Sequence, residues 1–594
     1  MFHHSQKPFF RSPQGAVPCH TPIQIRFYAK NVASVQLRTW NGFEQFHQMA
    51  FDGEKNYIAT IYAPNKPGLF WYDFIITHFD GTTVHYANNA QKLGGIGQIF
   101  SHQGPSFQIT VYDPAFDTPD YLKNGIIYQI FPDRFHRHRP LSKEVFAHSP
   151  VHYDSIIHQN WEEAPLLIKA RRSNDNQAID FFGGTLKGIE EKLPYLHSLG
   201  ISVLYLNPIF EAHSNHRYDT GDYQKIDPIL GDQEDFMSLC KKAEQMGIHV
   251  LLDGVFSHTG EDSVYFNRYG HYPNVGAYQG KESPYYPWYE FAYESNCDDY
   301  TCWWGIPTLP EVMDSYLHYQ HFLFNQEKGV VPGWLEKGAG GWRLDVVDEL
   351  TMDFLQQLRI SAKTKKPDAA IIGEVWEDAS NKMAYGSLRS YCLGDTMDSV
   401  MNYPLRDAIM SFLLYQSSAF DLAKLIAHQQ EVYPLPFYYS LMNLIGSHDR
   451  SRIVNVLAGC TFDDVPMEER SHQHLTPEQL ALGKARMVKA FEILTALPGA
   501  PTLYYGDEVG MEGTADPFSR GTFPWGKEDQ HLQRAIQNLF HKRNSSQALK
   551  TGTLCVWAID EHTLRIVRQI TNGKDVFHQP AKNENVIVDI QRTV

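Results

Sequence analysis

The stretch "GWRLDVVDEL" (341–350) combines a strand-like apolar run with residues that can do acid–base chemistry. Arg343 and Asp345 are two positions apart and therefore lie on the same face of a strand. Charged side chains are rarely buried unless they are paired or used. An arginine beside a partly buried aspartate lowers the pKa of its carboxyl group, which suits a nucleophile. Asp348 and Glu349 lie past the strand end, and we predict solvated or helix-starting roles for them.

Other polar residues also follow apolar runs. Asp253 ends "GIHVLLD" five residues before His258, Glu374 follows "AAIIG", and His448 and Asp449 follow "NLIGS". One charged strand end could be a structural ion pair, but several that converge indicate a site. Glu374 is the candidate proton donor, because the negative charge of Asp449 favours its protonated form. One ionised and one protonated carboxyl group together can cleave a glycosidic bond.

These side chains need strands whose carboxyl ends meet. After residue 118, eight strand-length apolar runs alternate with helical segments, from "GIIYQIF" to "APTLYYG". The alternation predicts an α/β fold, a (β/α)8 TIM barrel spanning 119–545, with its active site at the carboxyl ends of the strands. A doubly wound open sheet is the alternative, but no GxGxxG motif follows the first strand.

Three regions fall outside the regular alternation. Residues 1–118 contain short β-branched and aromatic runs with a hairpin signal at Asp80-Gly81, which predicts an N-terminal, carbohydrate-binding-like β-sandwich. A loop subdomain rich in Tyr, Trp, Pro and Gly is expected at 259–310, after the third barrel strand. Residues 546–594 return to short strands, so a small C-terminal β region is expected there.

Composition limits the possible partners. The 594 residues carry a formal net charge of −16, which argues against a nucleic-acid footprint. We predict no membrane partner, because no stretch approaches about 18 consecutive apolar residues. The seven cysteines form neither a dense disulfide pattern nor a set at metal-ligand spacing. The first residues lack a signal-peptide pattern, so a cytoplasmic location is expected.

Four motifs resemble, in order and separation, the signature regions of the α-amylase family of retaining glycoside hydrolases: "DGVFSHTG" (253–260), "GWRLDVVDE" (341–349), "GEVW" (373–376) and "SHD" (447–449). "YQIFPDRF", "FFGGTLKGI", "SNHRYDTGDY" and "DPFSRGTFPW" are also similar to that family, and the resemblance covers roughly 120–545. The sandwich and "TLPEVM" (308–313) resemble the neopullulanase, cyclomaltodextrinase and maltogenic amylase group. "YDSIIHQNWEEAP" (153–165) is similar to amylopullulanases.

The resemblance implies that Asp345 is the nucleophile, Glu374 the acid/base and Asp449 the transition-state stabiliser. It implies that four further residues frame the same subsite, namely Asp253, His258, Arg343 and His448.

Three more residues are candidates for sugar contacts by the same resemblance. Tyr218 would stack on the bound sugar, although a tyrosine after "SNHR" could instead close a turn. Asp516 and Arg520 would form a sugar-contacting pair, with a surface salt bridge as the alternative.

The implied activity is retaining hydrolysis of α-1,4-glucosidic bonds in cyclodextrins, pullulan, starch or maltodextrins. The alternatives are an amylopullulanase-like enzyme that also cuts α-1,6 bonds and a transglycosylase or branching-type enzyme. A non-catalytic glycan binder is disfavoured, because all three candidate catalytic carboxylates are present. The resembling group also implies a homodimer in which the sandwich borders the partner's cleft.

The chain departs from the family pattern at particular positions. Ser257 stands where the family has an asparagine that helps to bind a structural calcium, so a calcium site of that kind is not expected. The proposed chemistry requires no cofactor and no metal. Glu311 and Met313 replace the lysine and asparagine of close relatives, which leaves the preferred linkage open.

Overall fold

The computed structural model describes residues 1–141, 145–146, 149–169, 176–293 and 296–592. It begins with two β-sheets. The smaller sheet has four strands, in the order Arg11–Ser12, Pro22–Tyr28, Asn56–Tyr62 and Ala50–Phe51. The larger sheet has seven strands: Val17–Pro18, Ser34–Trp40, Glu44–Gln48, Gly68–Thr77, Thr83–Ala87, Gln98–Phe100 and Phe107–Tyr112.

The two N-terminal sheets share one apolar core. Alternate residues of Pro22–Tyr28 point inward, so that Ile23, Ile25 and Phe27 are buried. They pack against residues such as Val35 and Phe74 from the larger sheet. The predicted N-terminal β-sandwich is confirmed, and its last strand ends at Tyr112.

The eight predicted barrel strands are all present. They form one parallel sheet and occur in the chain as Ile127–Ile130, Val203–Leu206, His249–Gly254, Gly341–Leu344, Ala370–Gly373, Ser399–Val400, Met442–Leu444 and Ala500–Tyr504. An isolated parallel bridge between Met401 and Met442 links the sixth and seventh strands, where the sheet would otherwise be open. The predicted (β/α)8 barrel is confirmed, and the doubly wound alternative is wrong.

The strands alternate between a barrel interior and a helix-facing exterior. Interior positions such as Ile127, Leu251 and Ile372 form one buried cluster. Exterior positions such as Leu252 and Trp342 join the larger core beneath the helices. The interior is therefore packed solid below the mouth, as in other barrels of this kind.

Helices connect the strands and cover the barrel. The described helices are Asp120–Lys123, Pro132–Phe135, Leu186–Glu191, Leu193–Ser198, Gln233–Gln245, Leu317–Phe324, Val330–Glu336, Met352–Lys365, Tyr403–Leu413, Ala419–Val432, Leu435–Tyr438, Ile453–Ala458, Pro477–Ala496, Gln530–Ser545 and Gln547–Thr551. Ser418 and Thr476 begin the two helices that follow them with capping boxes.

The region after the third barrel strand contains little regular structure. It holds one short strand pair, Phe291–Tyr293 with Asn296–Tyr300. Its return path runs beside the strand exit, because the Val312 amide donates to the Ser257 carbonyl at 2.9 Å. This backbone contact places the loop subdomain at the mouth of the barrel.

The chain ends in a three-stranded antiparallel sheet, Thr553–Asp560, Thr563–Ile570 and Glu584–Gln591. The Gln430 amide donates to the Leu554 carbonyl at 3.2 Å, which fixes this sheet against a barrel helix. Among the described residues, no helix combines the length and apolarity needed to cross a membrane.

Candidate active site

The floor of the site is built by register between the third and fourth barrel strands. Asp253 and Arg343 are Cα partners in that register, and both point into the barrel interior. Arg343 Nη1 donates to Asp253 Oδ1 at 3.0 Å and to Asp345 Oδ1 at 2.9 Å. Because Arg343 and Asp345 share one face of the strand, a single guanidinium reaches both carboxylates.

The same arginine also reaches Glu374 at the end of the fifth strand. Arg343 Nη2 lies 2.8 Å from Glu374 Oε2, an ion pair without the angle of a hydrogen bond. The Val346 amide donates to Glu374 Oε2 at 3.1 Å. Three carboxylates from three neighbouring strands therefore share one buried guanidinium.

The protonation of this cluster differs from the sequence-based expectation. Burial raises the pKa of Asp345 well above its usual range, Arg343 opposes that rise, and the charges of Glu374 and Asp253 add to it. We had expected Arg343 to set a lowered pKa for Asp345. Its effect has the expected sign, but the net direction is opposite, because burial outweighs one arginine shared among three acids. Burial likewise raises the pKa of Asp253.

Tyr218 and His448 form one wall beside this floor. Their rings are stacked with centroids 5.3 Å apart and an angle of 6° between planes. The Tyr218 hydroxyl donates to Asp253 Oδ2 at 2.9 Å, and the Gln129 amide contacts His448 Nδ1 at 2.9 Å. If that amide is the donor, the other imidazole nitrogen carries the proton toward Asp449 Oδ1, which is 3.0 Å away.

His258 lies at the exit of the third strand, as its position in the sequence suggested. Its Nδ1 is 2.9 Å from the Ser257 hydroxyl, and burial lowers its pKa to about 4. The imidazole is therefore neutral at neutral pH and can take part in hydrogen bonds to an uncharged ligand.

Asp516 and Arg520 form an ion pair of 3.0 Å, and Arg520 Nη2 lies 3.9 Å from Asp449 Oδ1. Arg520 is only 6% exposed, so the alternative of a surface salt bridge does not describe this pair. Burial raises the pKa of Asp449, and Arg520 and Arg343 oppose the rise.

These groups open into one cavity of about 1470 Å³. Eight of the ten predicted site residues line it: Tyr218, His258, Asp345, Glu374, His448, Asp449, Asp516 and Arg520. Asp253 and Arg343 lie below the lining residues and contact them: Arg343 contacts Asp345 and Glu374, and Asp253 accepts a hydrogen bond from Tyr218. The structure thus brings all ten side chains into one connected cluster.

Several cavity residues were missed by sequence reasoning. Tyr153 stacks on His213, with centroids 5.1 Å apart, and lies 4.4 Å from the ring of His271. Trp376 also lines the cavity and stacks on Tyr403 at 4.1 Å. These residues come from different loops; Tyr153 and Trp376 lie in the quoted motifs "YDSIIHQNWEEAP" and "GEVW", which could have marked them.

Asp348 and Glu349 lie past the strand end in the first turn of a short helix, in agreement with the predicted helix-starting role. They belong to a one-turn helix, Val347–Glu349, and both side chains line the cavity. The Tyr391 hydroxyl donates to Asp348 Oδ1 at 2.6 Å, and Trp304 Nε1 donates to Glu349 Oε1 at 2.6 Å. Both carboxylates therefore shape the wall of the cavity.

Ser257 stands at the position where this chain departs from the family's calcium pattern. The Ser257 hydroxyl lies 2.9 Å from Nδ1 of His258, and Ser257 is buried. Within the described ranges, no three His, Cys, Asp or Glu side chains are grouped so that they could hold a metal ion.

Comparisons with known proteins agree with this architecture. Residues 129–561 match the family described as "Alpha amylase, catalytic domain". An amylopullulanase of Thermoanaerobacter thermohydrosulfuricus is 38% identical over 99% of this chain and 42% of its own length. A cyclomaltodextrinase of Geobacillus thermopakistaniensis is 32% identical over 85% of this chain and 76% of its own length. The chain spans less than half the length of the amylopullulanases that it matches.

This chain is also similar to solved structures. A cyclic α-maltosyl-(1→6)-maltose hydrolase from Arthrobacter globiformis is 30% identical and has a TM-score of 0.62, covering 76% of this chain and 89% of its own. The type III pullulan hydrolase from Thermococcus kodakarensis shares the fold over the full length of both chains, at 24% identity and a TM-score of 0.64. With the sequence match over most of the barrel and the four signature motifs gathered at its mouth, the chain belongs to the α-amylase family.

Proposed function

We propose that this protein is a retaining glycoside hydrolase that cuts α-1,4-glucosidic bonds in cyclodextrins, pullulan, starch or maltodextrins. The observation that carries the proposal is the contact of Arg343 with both Asp345 and Glu374 at the floor of a large cavity. In this proposal both carboxyl groups act on one sugar, Asp345 as the nucleophile and Glu374 as the proton donor. The uncharged imidazoles and the tyrosine around it suit a neutral ligand rich in hydroxyl groups.

In the first step, Asp345 attacks the anomeric carbon while Glu374 protonates the departing glycosidic oxygen. A glycosyl ester on Asp345 and a free sugar hydroxyl result. This step uses the ionised form of Asp345, which Arg343 favours against the effect of burial. In this step one negative charge moves from Asp345, which becomes a neutral ester, to Glu374, which is left ionised when it gives its proton to the leaving oxygen.

In the second step, Glu374 is ionised and accepts a proton from water, whose oxygen attacks the same carbon and releases Asp345. Two displacements leave the anomeric configuration unchanged. The amide of Val346 and the guanidinium of Arg343 both contact Glu374 Oε2.

The remaining cavity residues bind and orient the sugar in this proposal. The negative charge of Asp449 stabilises positive charge that develops on the sugar ring, and Tyr218 presents its ring face to the sugar. His448 and His258 bond to hydroxyl groups, and Arg520 connects Asp449 with Asp516.

A second specificity is favoured by the relatives. The amylopullulanases are 37–38% identical across nearly this whole chain, more than the 32% of the cyclomaltodextrinase. An enzyme that also cuts α-1,6 bonds is therefore the second candidate, and transfer to a sugar acceptor is a variant of the same double displacement.

A digest of pullulan, a cyclodextrin and soluble starch tests the proposal, with Asp345→Asn as the matched control. Panose from pullulan, together with opening of the cyclodextrin, supports α-1,4 cleavage. Maltotriose from pullulan supports α-1,6 cleavage, and products larger than the substrate at high sugar concentration support transfer. Wild type and control that are equally inert on all three substrates would refute the catalytic assignment.

We further propose a homodimer, a cytoplasmic location and chemistry without a metal. The dimer proposal rests on the resembling group, in which the N-terminal sandwich borders the partner's cleft; in this chain the sandwich also contacts its own barrel, where Gln108 Nε2 donates to Ser380 Oγ at 3.0 Å. Light scattering tests it, and a monomer at micromolar concentration would contradict it. Localisation by fractionation tests the second proposal, and activity after chelation tests the third.

A further inference from the structure

Trp304 is placed unusually for a large apolar side chain. It is 78% exposed, it lines the cavity, and its backbone has φ 50° and ψ 26°. A non-glycine residue in this left-handed region costs on the order of 1 kcal/mol or more, least for Asn and Asp. Neither hydrophobic burial nor backbone preference therefore explains a tryptophan at this position.

The indole is nevertheless held in one orientation. Its Nε1 donates to Glu349 Oε1 at 2.6 Å, and its ring stacks on Trp303 with centroids 5.2 Å apart and an angle of 14° between planes. Trp303 in turn lies against His258 at 5.2 Å. Three neighbouring rings, of which only Trp303 and Trp304 are stacked, thus run outward from the predicted sugar-binding His258 to the exposed face of Trp304.

We propose that the free face of Trp304 is a stacking platform for a glucosyl unit on the departing side of the scissile bond. This inference rests on the proposed function and adds to it a subsite that favours long or branched α-glucans over short ones. A pyranose ring has an apolar face of C–H groups, which loses contact with water when it lies on an indole.

The position of Glu349 assigns the platform to the departing side. The turn after the fourth strand starts at Asp345, contacts Glu374 through the Val346 amide, and ends at Glu349, which anchors Trp304. Since Glu374 protonates the leaving oxygen, the sugar that departs lies on this side of the cleft.

Binding without turnover tests the platform directly. Maltohexaose is titrated by calorimetry into Glu374→Gln and into the same protein carrying Trp304→Ala or Trp304→Gly. Burial of about 50 Å² of apolar surface corresponds to a loss of affinity of about tenfold, and both variants should lose it equally. Glycine relieves the positive φ, so an effect of alanine alone would indicate backbone strain and overturn the inference.

Trp557→Ala is the matched control, since Trp557 is 44% exposed in the C-terminal sheet and lies outside the cavity. It should bind maltohexaose like the parent. Equal binding by parent and Trp304 variants would overturn the platform while leaving the proposed function intact. If the parent itself binds no maltohexaose and wild type digests no glucan, the proposed function fails first.

Kinetics add a second readout on the otherwise wild-type enzyme. Trp304→Ala should raise KM about tenfold for maltohexaose and leave kcat/KM for p-nitrophenyl maltoside within about twofold, because that leaving group is too short to reach the platform. An equal loss on both substrates would mean that the substitution disturbs the catalytic floor, and the inference would fall.

Discussion

Replacement of Arg343 by methionine is the perturbation that most directly tests the arrangement of the catalytic floor. The side chain is 1% exposed and contacts Asp253, Asp345 and Glu374. Methionine keeps the approximate length of the side chain and removes its charge. Arg343→Lys is the matched control, because an ammonium keeps the charge but cannot hold both Nη1 and Nη2 contacts.

The expected loss of interaction energy follows from the separation between the centres of the two charges. Opposite charges about 4 Å apart at an effective dielectric constant of about 20 interact by about 4 kcal/mol. Loss of that interaction favours protonated Asp345 by about 10³-fold, since about 1.4 kcal/mol corresponds to a factor of ten. Arg343 opposes the rise in the pKa of Asp345, so its removal raises that pKa further. The acidic limb of kcat/KM should therefore move to higher pH.

The assay is the pH profile of kcat/KM on an aryl maltoside for wild type, Arg343→Met and Arg343→Lys. At pH values below its acidic limb, Arg343→Met should have a kcat/KM about 10³-fold lower than that of wild type. Arg343→Lys should lose less kcat/KM, and its acidic limb should move little. Breaking a buried ion pair costs about 3–5 kcal/mol, so thermal unfolding must show that the variant is folded at the assay temperature. A folded methionine variant with the same loss at every pH and an unmoved acidic limb would refute electrostatic support by Arg343.

Three further predictions follow from the same site. Glu374→Gln should lower turnover by about 10²–10⁴-fold with an unchanged unfolding midpoint, and near-normal turnover would contradict its role as acid/base. Asp345→Asn should raise the unfolding midpoint by about 1–3 °C near pH 7, because an acid whose pKa is raised in the folded state destabilises that state as the pH rises above the ordinary carboxyl pKa of 3.8. Below pH 3.8 the substitution should leave the unfolding midpoint unchanged. Prolonged dialysis against a chelator should leave activity within about twofold, in keeping with the hydrogen-bonded Ser257; reversible loss restored by calcium would contradict the proposal of metal-free chemistry.

The barrel could be predicted because its strands have a distinctive pattern. Buried parallel strands read as short apolar runs, and several of the runs here end where a polar side chain begins, as at Asp253 and Glu374. Chain order then placed these side chains at one mouth. The same reasoning could not show that Asp253 and Arg343 are exact register partners, because register depends on the stagger of neighbouring strands.

The outer cavity could not be predicted, because its residues come from long loops without periodic patterns. Tyr153 and His213 follow different strands, and nothing in their local sequence predicts that their rings stack. The sequence shows that Trp303 and Trp304 are adjacent, but it does not show that they line the cavity. Their position depends on backbone hydrogen bonds between the loop and the strand exit near Ser257. The protonation states of the clustered acids could not be predicted from the sequence either, because they depend on how many acids share one arginine.

The turn after Asp345, the proposed nucleophile, links the carboxylate cluster with the outer wall of the cavity. Val346 adopts φ 39° and ψ 54°, a left-handed conformation that is unfavourable for a β-branched residue. The turn aims the Val346 amide at Glu374 and starts the short helix whose last residue holds Trp304. A strained residue persists only where its surroundings over-determine it, and here the guanidinium below and the Glu349–Trp304 contact above both fix the turn. The contacts of Glu374, the proposed acid/base, and the anchoring of Trp304 therefore both depend on one short segment, residues 345–349.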